Sequence, residues 1–148
     1  NSLSVAKETS ATKILHHMQG TPNTMQKRPV YKNVLLDIYD FFEEKIKKIG
    51  GKKIIIDPGI GFGKNLKHNL TLISKISLFH SLGLPILVGS SRKRFISQLS
   101  KGNDSKERLG GTLASVLFLL SQGVQMFRVH DVNEIKQGIL VFNNILKE

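Results

Sequence analysis

Short apolar strands alternate with amphipathic helices along this chain, and that alternation limits the possible folds more than any other feature. The apolar runs stop near His17, Asp57, Gly89 and His130, where four strands are expected to end. These ends recur at roughly 30 to 40 residues, a spacing typical of parallel strands joined by helical crossovers. The sequence therefore predicts an α/β fold of four parallel strand-then-helix units.

The limits of these elements follow from apolar periodicity and from capping signals. Helices are expected over 34–49, 66–82, 92–99, 105–122 and 132–146, and strands over 14–17, 54–56, 85–88 and 126–129. Asp104 with Glu107, and Asp131 with Glu134, have the three-residue spacing of a capping box. Each pair is therefore expected to open one of the last two helices.

The net charge of +11 favours an anionic partner, either a phosphorylated small molecule or nucleic acid. Nucleic acid is the less favoured partner, because the lysines are spread over solvent-facing positions and the aromatic residues lie at core-like positions. No apolar run approaches the ~18 to 20 residues that span a bilayer, and the N-terminus lacks the pattern of a signal peptide. The chain has no cysteine, which excludes disulfides and thiolate metal sites. We expect a cytoplasmic protein with no membrane partner.

Polar residues gather directly after the predicted strands. They are His16, His17 and Gln19; Asp57; Ser90, Ser91, Arg92 and Lys93; and Arg128, His130 and Asp131. In barrels and open sheets of parallel strands, ligands bind outside the carboxyl ends of the strands, where the loops converge. The four loops are therefore expected to build one site.

Asp57 ends an apolar strand and begins a loop with three glycines. A buried carboxylate is costly unless it is hydrogen-bonded or paired. At the mouth of a pocket it can accept two parallel N–H bonds from an amino-substituted heterocycle; the alternative is that it only stabilises a Pro-Gly turn. Gly59, Gly61 and Gly63 permit close backbone approach, and Phe62 offers an aromatic face. The glycine spacing fits neither a P-loop nor a dinucleotide-binding loop.

The motifs GSSRKRF and RVHD bring cations to two further strand ends. Lys93 lies at the start of the helix predicted over 92–99, where it either reaches an oxygen or nitrogen of a ligand or belongs to a solvated basic turn. Arg128 and His130 are two residues apart on a strand and face the same side, which suits a phosphate or pyrophosphate clamp. An ion pair between Arg128 and Asp131 is the alternative.

The neighbouring histidines 16 and 17 point to opposite faces of their strand, so they cannot hold one metal ion together. One of them is expected to be buried and hydrogen-bonded. The sequence shows no Ser–His–Asp set and no convincing pair of carboxylates. We therefore expect no metal site within this chain.

The segments HMQGTPNTMQ, DPGIGFGKN, SRK and RVHDV, in this order, closely resemble the C-terminal half of the dihydropteroate synthase family. Each motif is weak alone, whereas four in order at strand ends are specific. The resemblance implies that residues 1–148 form the C-terminal half of a pterin-binding (β/α)8 barrel, four units of the eight in a TIM barrel. Related pterin-binding methyltransferase domains share the fold and part of the pattern, and remain an alternative.

The family joins p-aminobenzoate to 6-hydroxymethyl-7,8-dihydropterin pyrophosphate in folate biosynthesis, releasing pyrophosphate. The resemblance implies a binding site for the pterin pyrophosphate at His16, Asp57, Gly89, Lys93, Arg128, Val129 and His130. It implies a site for p-aminobenzoate at Gly61, Phe62, Ser91 and Arg94. Catalysis would be electrostatic, through Lys93, Arg128 and His130. Two positions depart from the family pattern: many members have methionine in place of His16 and serine in place of Arg94.

The resemblance also bears on the cofactor and on assembly. It implies Mg²⁺, with a protein ligand in the N-terminal half of the family and none in this chain, and a homodimer for the full-length enzyme. Half a barrel would leave strand edges unpaired, so we expect the chain alone to be a fragment that self-associates or is marginally stable. An inactive pterin- or phosphate-binding remnant is the alternative function.

Overall fold

Strands and helices alternate in the predicted order in a computed structural model, which describes residues 4–5, 8–25, 27–50, 53–100 and 104–148. The strands are β1 (Lys13–His16), β2 (Ile54–Asp57), β3 (Leu87–Val88) and β4 (Met126–Phe127). The α-helices are α1 (Val34–Ile49), α2 (Leu66–Ser74), α3 (Arg94–Ser100), α4 (Leu109–Ser121) and α5 (Val132–Ile145), with 3-10 helices at Ile76–Leu82 and Lys106–Arg108. None of the helices described is both long and apolar enough to cross a membrane.

The four strands are parallel and lie side by side in chain order. β1 pairs with β2 in a register that sets His16 beside Asp57, and β3 pairs with β4. A parallel bridge between Ile56 and Ile86 joins the two pairs. The predicted parallel α/β arrangement is confirmed, and the carboxyl ends of all four strands point to the same edge.

β3 and β4 are shorter than the sequence predicts, with two residues each. Hydrogen bonds extend the pairing beyond them, because the Ile56 N–H donates to the Pro85 carbonyl (3.0 Å) and the Arg128 N–H donates to the Val88 carbonyl (3.0 Å). Arg128 is therefore held in line with its strand, and its side chain leaves from the strand end.

Helices cover one face of the strands. The buried face consists of Ile54, Ile56, Ile86 and Val88, each at most 2% exposed. These residues form one core cluster with Phe42 of α1 and Phe79 of the first 3-10 helix. Ile14 pairs with Ile55 and so lies on the opposite face, where it is 51% exposed. The two faces of the strands therefore differ strongly in burial.

α1 begins and ends where its sequence supplies caps. The Asn33 side chain accepts hydrogen bonds from the backbone N–H groups of Leu35 and Leu36 at the start of the helix. Gly50 adopts a left-handed conformation (φ 88°) and donates its N–H to the Ile46 carbonyl, which terminates the helix. Between the caps, Ile38 faces the core and is fully buried. The predicted limits of this helix are confirmed.

The second predicted helix is broken. α2 ends at Ser74, and after Lys75 the chain continues as a 3-10 helix. Leu70, expected on the apolar face, is 37% exposed, whereas Asn69 is 4% exposed. Asn69 is buried because its side-chain oxygen accepts a 2.7 Å hydrogen bond from the Gly61 N–H. The glycine loop thus determines which side of α2 faces inward.

α4 also turns a partly polar face inward. Apolar spacing favours Leu113, Leu117 and Leu120 as its buried residues, but each is only partly buried. Its buried residues are Thr112, Ser115, Val116 and Leu119. Thr112 accepts a hydrogen bond from the Arg92 N–H, and Ser115 donates to the Ser90 hydroxyl. These bonds to the loop after β3 offset the cost of burying two hydroxyls.

The two capping predictions have different outcomes. Glu107 accepts a hydrogen bond from the Asp104 N–H, but this pair opens the short 3-10 helix that precedes α4. Asp131 makes no side-chain bond to the start of α5. The capping prediction for Asp131 was wrong because its carboxylate is bound by Arg92 instead.

Candidate functional site

A cavity of about 330 Å³ opens at the carboxyl ends of the strands. Its walls are formed by His16, Phe62, Gly89, Ser91, Lys93, Arg128, Val129 and His130. These residues come from the ends of all four strands and from the loops that follow them. The structure therefore brings together most of the residues that the sequence singles out.

Asp57 lies beneath this cavity and is bound on both carboxylate oxygens. Oδ1 accepts a 2.9 Å hydrogen bond from the Gly59 N–H, and Oδ2 accepts a 2.8 Å bond from Arg128 Nη2. The Asp57 side chain is 1% exposed and that of Arg128 is 55% exposed. The carboxylate thus stabilises the turn and also orients a cation at the cavity. The alternative ion pair of Arg128 with Asp131 was wrong.

Gly89 allows Arg128 to reach Asp57. A Cβ atom at Gly89 would lie 3.2 Å from both Nε and Nη2 of Arg128, which is tighter than ordinary van der Waals contact. Gly61 has a similar relation to Lys93, because a Cβ there would lie 2.9 Å from the Lys93 Cδ, and its φ is +82°. Each glycine makes room for a neighbouring cationic side chain.

Lys93 lies over the ring of Phe62, with its Nζ atom 3.8 Å from the ring centroid. The His16 ring meets the same phenyl ring edge-on at 4.8 Å. Burial lowers the pKa of Lys93, the charge of Arg128 lowers it further, and Asp57 opposes the shift. Phe62 therefore supports two polar groups that line the cavity.

Two pairs of side chains tie the loop after β3 to the loop after β4. Ser91 Oγ lies 2.9 Å from His130 Nδ1 and accepts a 3.2 Å hydrogen bond from the His130 N–H. Arg92 forms a two-pronged ion pair with Asp131, including a 3.0 Å bond from Nε to Oδ2. Hydrogen bonding to Arg92 lowers the pKa of Asp131. These links fix His130 relative to the SRK segment.

Sequence reasoning missed the Arg92–Asp131 pair. Arg92 has a positive φ of 56°, which is uncommon for a residue other than glycine. Its N–H donates to Thr112 Oγ1 (3.0 Å), and its carbonyl accepts a 2.9 Å bond from Arg108. No local signal reveals partners that lie 16 to 39 residues away along the chain.

A second cavity of about 350 Å³ shares Lys93 with the first. Gly61 and Arg94 line this second cavity, whereas Phe62 and Ser91 line the first. Arg94 begins α3 and is exposed. In the part of the chain that the structure describes, its guanidinium makes no ion pair, unlike Arg92 and Arg128. The residues expected to bind p-aminobenzoate are thus distributed over two adjoining cavities.

His17 is the buried, hydrogen-bonded histidine that the sequence predicts. It is 7% exposed, and its Nδ1 lies 3.1 Å from the Nζ of Lys64. Burial, and then the charge of Lys64, lower the pKa of His17 to about 3, so its ring is neutral at pH 7. His16 lies on the cavity side, and its buried Nε2 has no hydrogen-bond partner among the described residues.

Parallel strand-and-helix units with a cationic cavity over a buried carboxylate define an α/β protein whose cavity has the charge to suit an anionic small molecule. The chain belongs to the pterin-binding enzyme family, because the family model described as "Pterin binding enzyme" matches residues 1–130. Relatives named dihydropteroate synthase extend this similarity over almost the whole chain, which confirms the resemblance noted in its motifs.

The dihydropteroate synthase of Escherichia coli (strain K12) is 43% identical over 144 residues, which cover 94% of this chain and 51% of the relative. The chain spans about half the length of this curated relative. The Yersinia pestis enzyme with a sulfonamide drug superimposes with a TM-score of 0.92 at 36% identity, covering 99% of this chain and 55% of that one. The Thermus thermophilus enzyme in complex with 6HMPPP has a TM-score of 0.91 at 33% identity, covering 98% and 59%.

Proposed function

We propose that this chain forms the C-terminal half of the (β/α)8 barrel of a dihydropteroate synthase, with residues 1–148 supplying four of the eight units. Four parallel strands in chain order support this proposal. The uneven burial of the two strand faces supports it as well, because the inner face of a barrel is closed by strands from the rest of the ring. Ile14 would then point into the barrel interior.

The proposed reaction joins 6-hydroxymethyl-7,8-dihydropterin pyrophosphate to p-aminobenzoate in folate biosynthesis. The observation that carries this proposal is the single cavity in which Lys93, Arg128 and His130 converge above Asp57. A carboxylate oxygen has two lone-pair sites, so Asp57 can accept N–H groups of the pterin while it holds Arg128 and Gly59. The outward-facing donors of Arg128 and His130 would then bind the pyrophosphate.

The remaining cavity residues complete the proposed pterin pyrophosphate site. Lys93 would donate to the oxo group and ring nitrogen of the pterin, with Gly89, Val129 and His16 forming the walls. The Thermus thermophilus structure named for its complex with 6HMPPP supports this choice of ligand.

The proposed reaction is a displacement at the pterin methylene carbon. The bond between this carbon and the pyrophosphate oxygen breaks, and the electron pair leaves with the pyrophosphate. The amine nitrogen of p-aminobenzoate forms the new bond to the carbon and then loses one proton. Arg128 and His130 stabilise the charge on the leaving group, and Lys93 fixes the pterin, so catalysis is mainly electrostatic and positional.

We assign p-aminobenzoate to the junction of the two cavities. Its ring would lie near Gly61, Phe62 and Ser91, with its carboxylate directed to Arg94 in the second cavity. A Thermus thermophilus structure named for its complex with 4-aminobenzoate supports the choice of ligand; it has a TM-score of 0.90 at 34% identity, covering 96% of this chain and 57% of that one.

Replacing Arg94 by serine should raise the KM for p-aminobenzoate by about three- to tenfold with little change in kcat. The effect is modest because Arg94 is exposed and its charge is screened by solvent. Steady-state kinetics with p-aminobenzoate and with its methyl ester measure the contribution of the carboxylate. Arg94→Lys, which keeps the charge, is the matched control. An equal rise in KM for the acid and for the methyl ester would contradict the assigned contact between the carboxylate and Arg94.

The residues that the structure describes do not fit a Mg²⁺ site. Within residues 4–5, 8–25, 27–50, 53–100 and 104–148, no group of three His, Cys, Asp or Glu side chains is arranged to hold a metal ion. The acid at the cavity, Asp57, is bound by Arg128 and Gly59. We propose that the Mg²⁺ implied by the resemblance takes its protein ligand from the half of the relatives that this chain does not cover. No step described above uses the ion.

We also propose that the complete enzyme is a homodimer. Apolar side chains on the outside of α5 support this proposal, because they are more than half exposed. They are Val132, Leu140, Val141 and Ile145. Exposed apolar patches of this kind mark interaction surfaces. The homodimer proposal applies to the assembled barrel. The oligomeric state is therefore to be measured on the same complex that is assayed for activity.

The test of the proposed function is complementation. This chain is co-expressed with the half of the Escherichia coli enzyme that it does not match, and the purified complex is assayed for dihydropteroate formation from the two substrates. We expect turnover, and we expect sedimentation to report a dimer of the complex. Binding of the pterin pyrophosphate without turnover would identify a binding remnant. Absence of binding would overturn the proposed function.

A further inference from the structure

Lys64 is a buried amine at the edge of the site, and no step of the proposed reaction uses it. The residue is 4% exposed, and it makes no ion pair with any carboxylate in the described part of the chain. Its Nζ atom donates a 2.9 Å hydrogen bond to the Phe62 carbonyl and lies 3.1 Å from His17 Nδ1. A buried amine without an anionic partner is costly, which indicates a specific role.

Phe62 is the residue that these bonds fix. Its N–H donates to the Gly59 carbonyl (3.0 Å), and its carbonyl accepts from Lys64. Its ring lies under the Lys93 ammonium and against the His16 ring. The position of the Phe62 backbone therefore determines where two cavity groups are held.

The glycines of the loop that carries Phe62 are held only through their backbones, by bonds to Asp57, Asn69 and Tyr31. Gly59, Gly61 and Gly63 all have positive φ values and contribute no side chains, and glycine backbones lose the most freedom when they are ordered. A Cβ atom at Gly63 would lie 2.7 Å from the Gln19 carbonyl oxygen, so the loop rests directly on the backbone after β1. Lys64 fastens the loop to that same segment through His17.

The protonation states of Lys64 and His17 allow a hydrogen bond between them whether or not Lys64 is charged. His17 is neutral at pH 7, so its Nδ1 can accept a hydrogen bond from Lys64. The pKa of Lys64 is lowered to about 7, chiefly by burial; Asp57 opposes the shift, and the charge of Lys93 adds to it. The charge of Lys64 also contributes to lowering the pKa of His16 and of His68. A neutral amine still has two N–H donors, which match the two acceptors that Lys64 contacts.

We propose that Lys64 is a positioning residue that fixes Phe62 to the end of β1, and that Phe62 thereby holds Lys93 in the pterin pyrophosphate site. The second part rests on the proposed function. The first part concerns only the geometry of the ligand-free protein. The two parts can therefore be tested separately.

The first test uses NMR of the complemented protein without ligand and with isotope-labelled lysine, in which Lys93→Arg identifies the Lys93 signal. Because Nζ lies over the Phe62 ring, the ε-protons of Lys93 should be shifted upfield. Lys64→Met keeps the length of the side chain but removes both donors, and we expect it to abolish most of that shift. Phe62→Leu removes the ring and so gives the chemical shift of the Lys93 ε-protons in the absence of the ring. Ile76→Val, a core change remote from the site, should retain the full shift.

The second test measures binding of the pterin pyrophosphate by calorimetry in the complemented protein. Lys64→Met should weaken binding about tenfold, the value expected for one lost positioning hydrogen bond, while Ile76→Val leaves it unchanged. If the wild type does not bind, the proposed function fails, yet the NMR result still decides the role of Lys64. An unchanged Lys93 shift in Lys64→Met would overturn the positioning role.

A stability measurement guards against misfolding of the variant. Lys64 has a lowered pKa, so the unfolded chain binds more protons than the folded chain between about pH 7 and the ordinary lysine pKa of 10.5. The contribution of Lys64 to the free energy of unfolding therefore increases with pH over that range. Lys64→Met should lack this increase. If Lys64→Met does not fold, Lys64→Gln keeps an NH2 donor group on a shorter side chain and should retain part of the Lys93 shift. Loss of the whole shift in a folded Lys64→Gln, equal to that in Phe62→Leu, would contradict the proposal.

Discussion

Replacing Asp57 by alanine should abolish measurable affinity for the pterin pyrophosphate and destabilise the fold by about 2 to 3 kcal/mol. The substitution removes the proposed acceptor for the pterin N–H groups. It also leaves the Gly59 N–H without its acceptor and frees Arg128 from its partner. Calorimetry measures the binding, and urea unfolding measures the stability.

Asp57→Asn separates these two roles. The amide keeps an oxygen that can accept from the Gly59 N–H, so we expect a smaller loss of stability than in Asp57→Ala. It lacks the charge that holds Arg128, so binding should remain severely weakened. Affinity close to that of the wild type in both variants would mean that the aspartate serves only the turn.

Replacing Arg128 by alanine should weaken binding of the pterin pyrophosphate by roughly 10- to 100-fold, the range expected for lost hydrogen bonds between charged groups. The free pterin alcohol has no pyrophosphate, so its binding should change only a few-fold. The comparison of the two ligands by calorimetry isolates the contact with the leaving group. The two-ligand design also controls for any disturbance of Asp57, which affects both ligands equally.

Arg128→Lys is the matched control for charge. Lysine keeps a cation but cannot reproduce the planar fork of donors, so the affinity for the pyrophosphate ester should fall between those of the wild type and Arg128→Ala. Equal losses on the ester and the alcohol in Arg128→Ala would contradict the proposed clamp. Such a result would leave the ion pair with Asp57 as the only role of this arginine.

Local sequence patterns were sufficient to predict the alternating elements and the edge where the loops converge. Strand β2 and helix α1 follow from an apolar run and from caps that lie within a few residues of each other. The positions of Lys93, Arg128 and His130 at one cavity follow from the direction of parallel strands. These features require no knowledge of contacts between distant parts of the chain.

The errors arose where distant partners override a local pattern. Asp131 has capping spacing, but Arg92 binds its carboxylate across 39 residues of sequence. α4 turns Thr112 and Ser115 inward because both bond to the loop after β3. Lys64 lies within the motif DPGIGFGKN, yet its burial against His17 depends on packing that no spacing rule describes.

The double link between the loops after β3 and β4 has a further consequence for how this site responds to ligands. Ser91 with His130 and Arg92 with Asp131 connect these loops at two successive positions, so the two segments resist shearing past each other. The electropositive wall of the cavity is consequently prepared before any anion arrives, and in the proposed reaction little reorganisation energy would be needed as the negative charge of the leaving group grows.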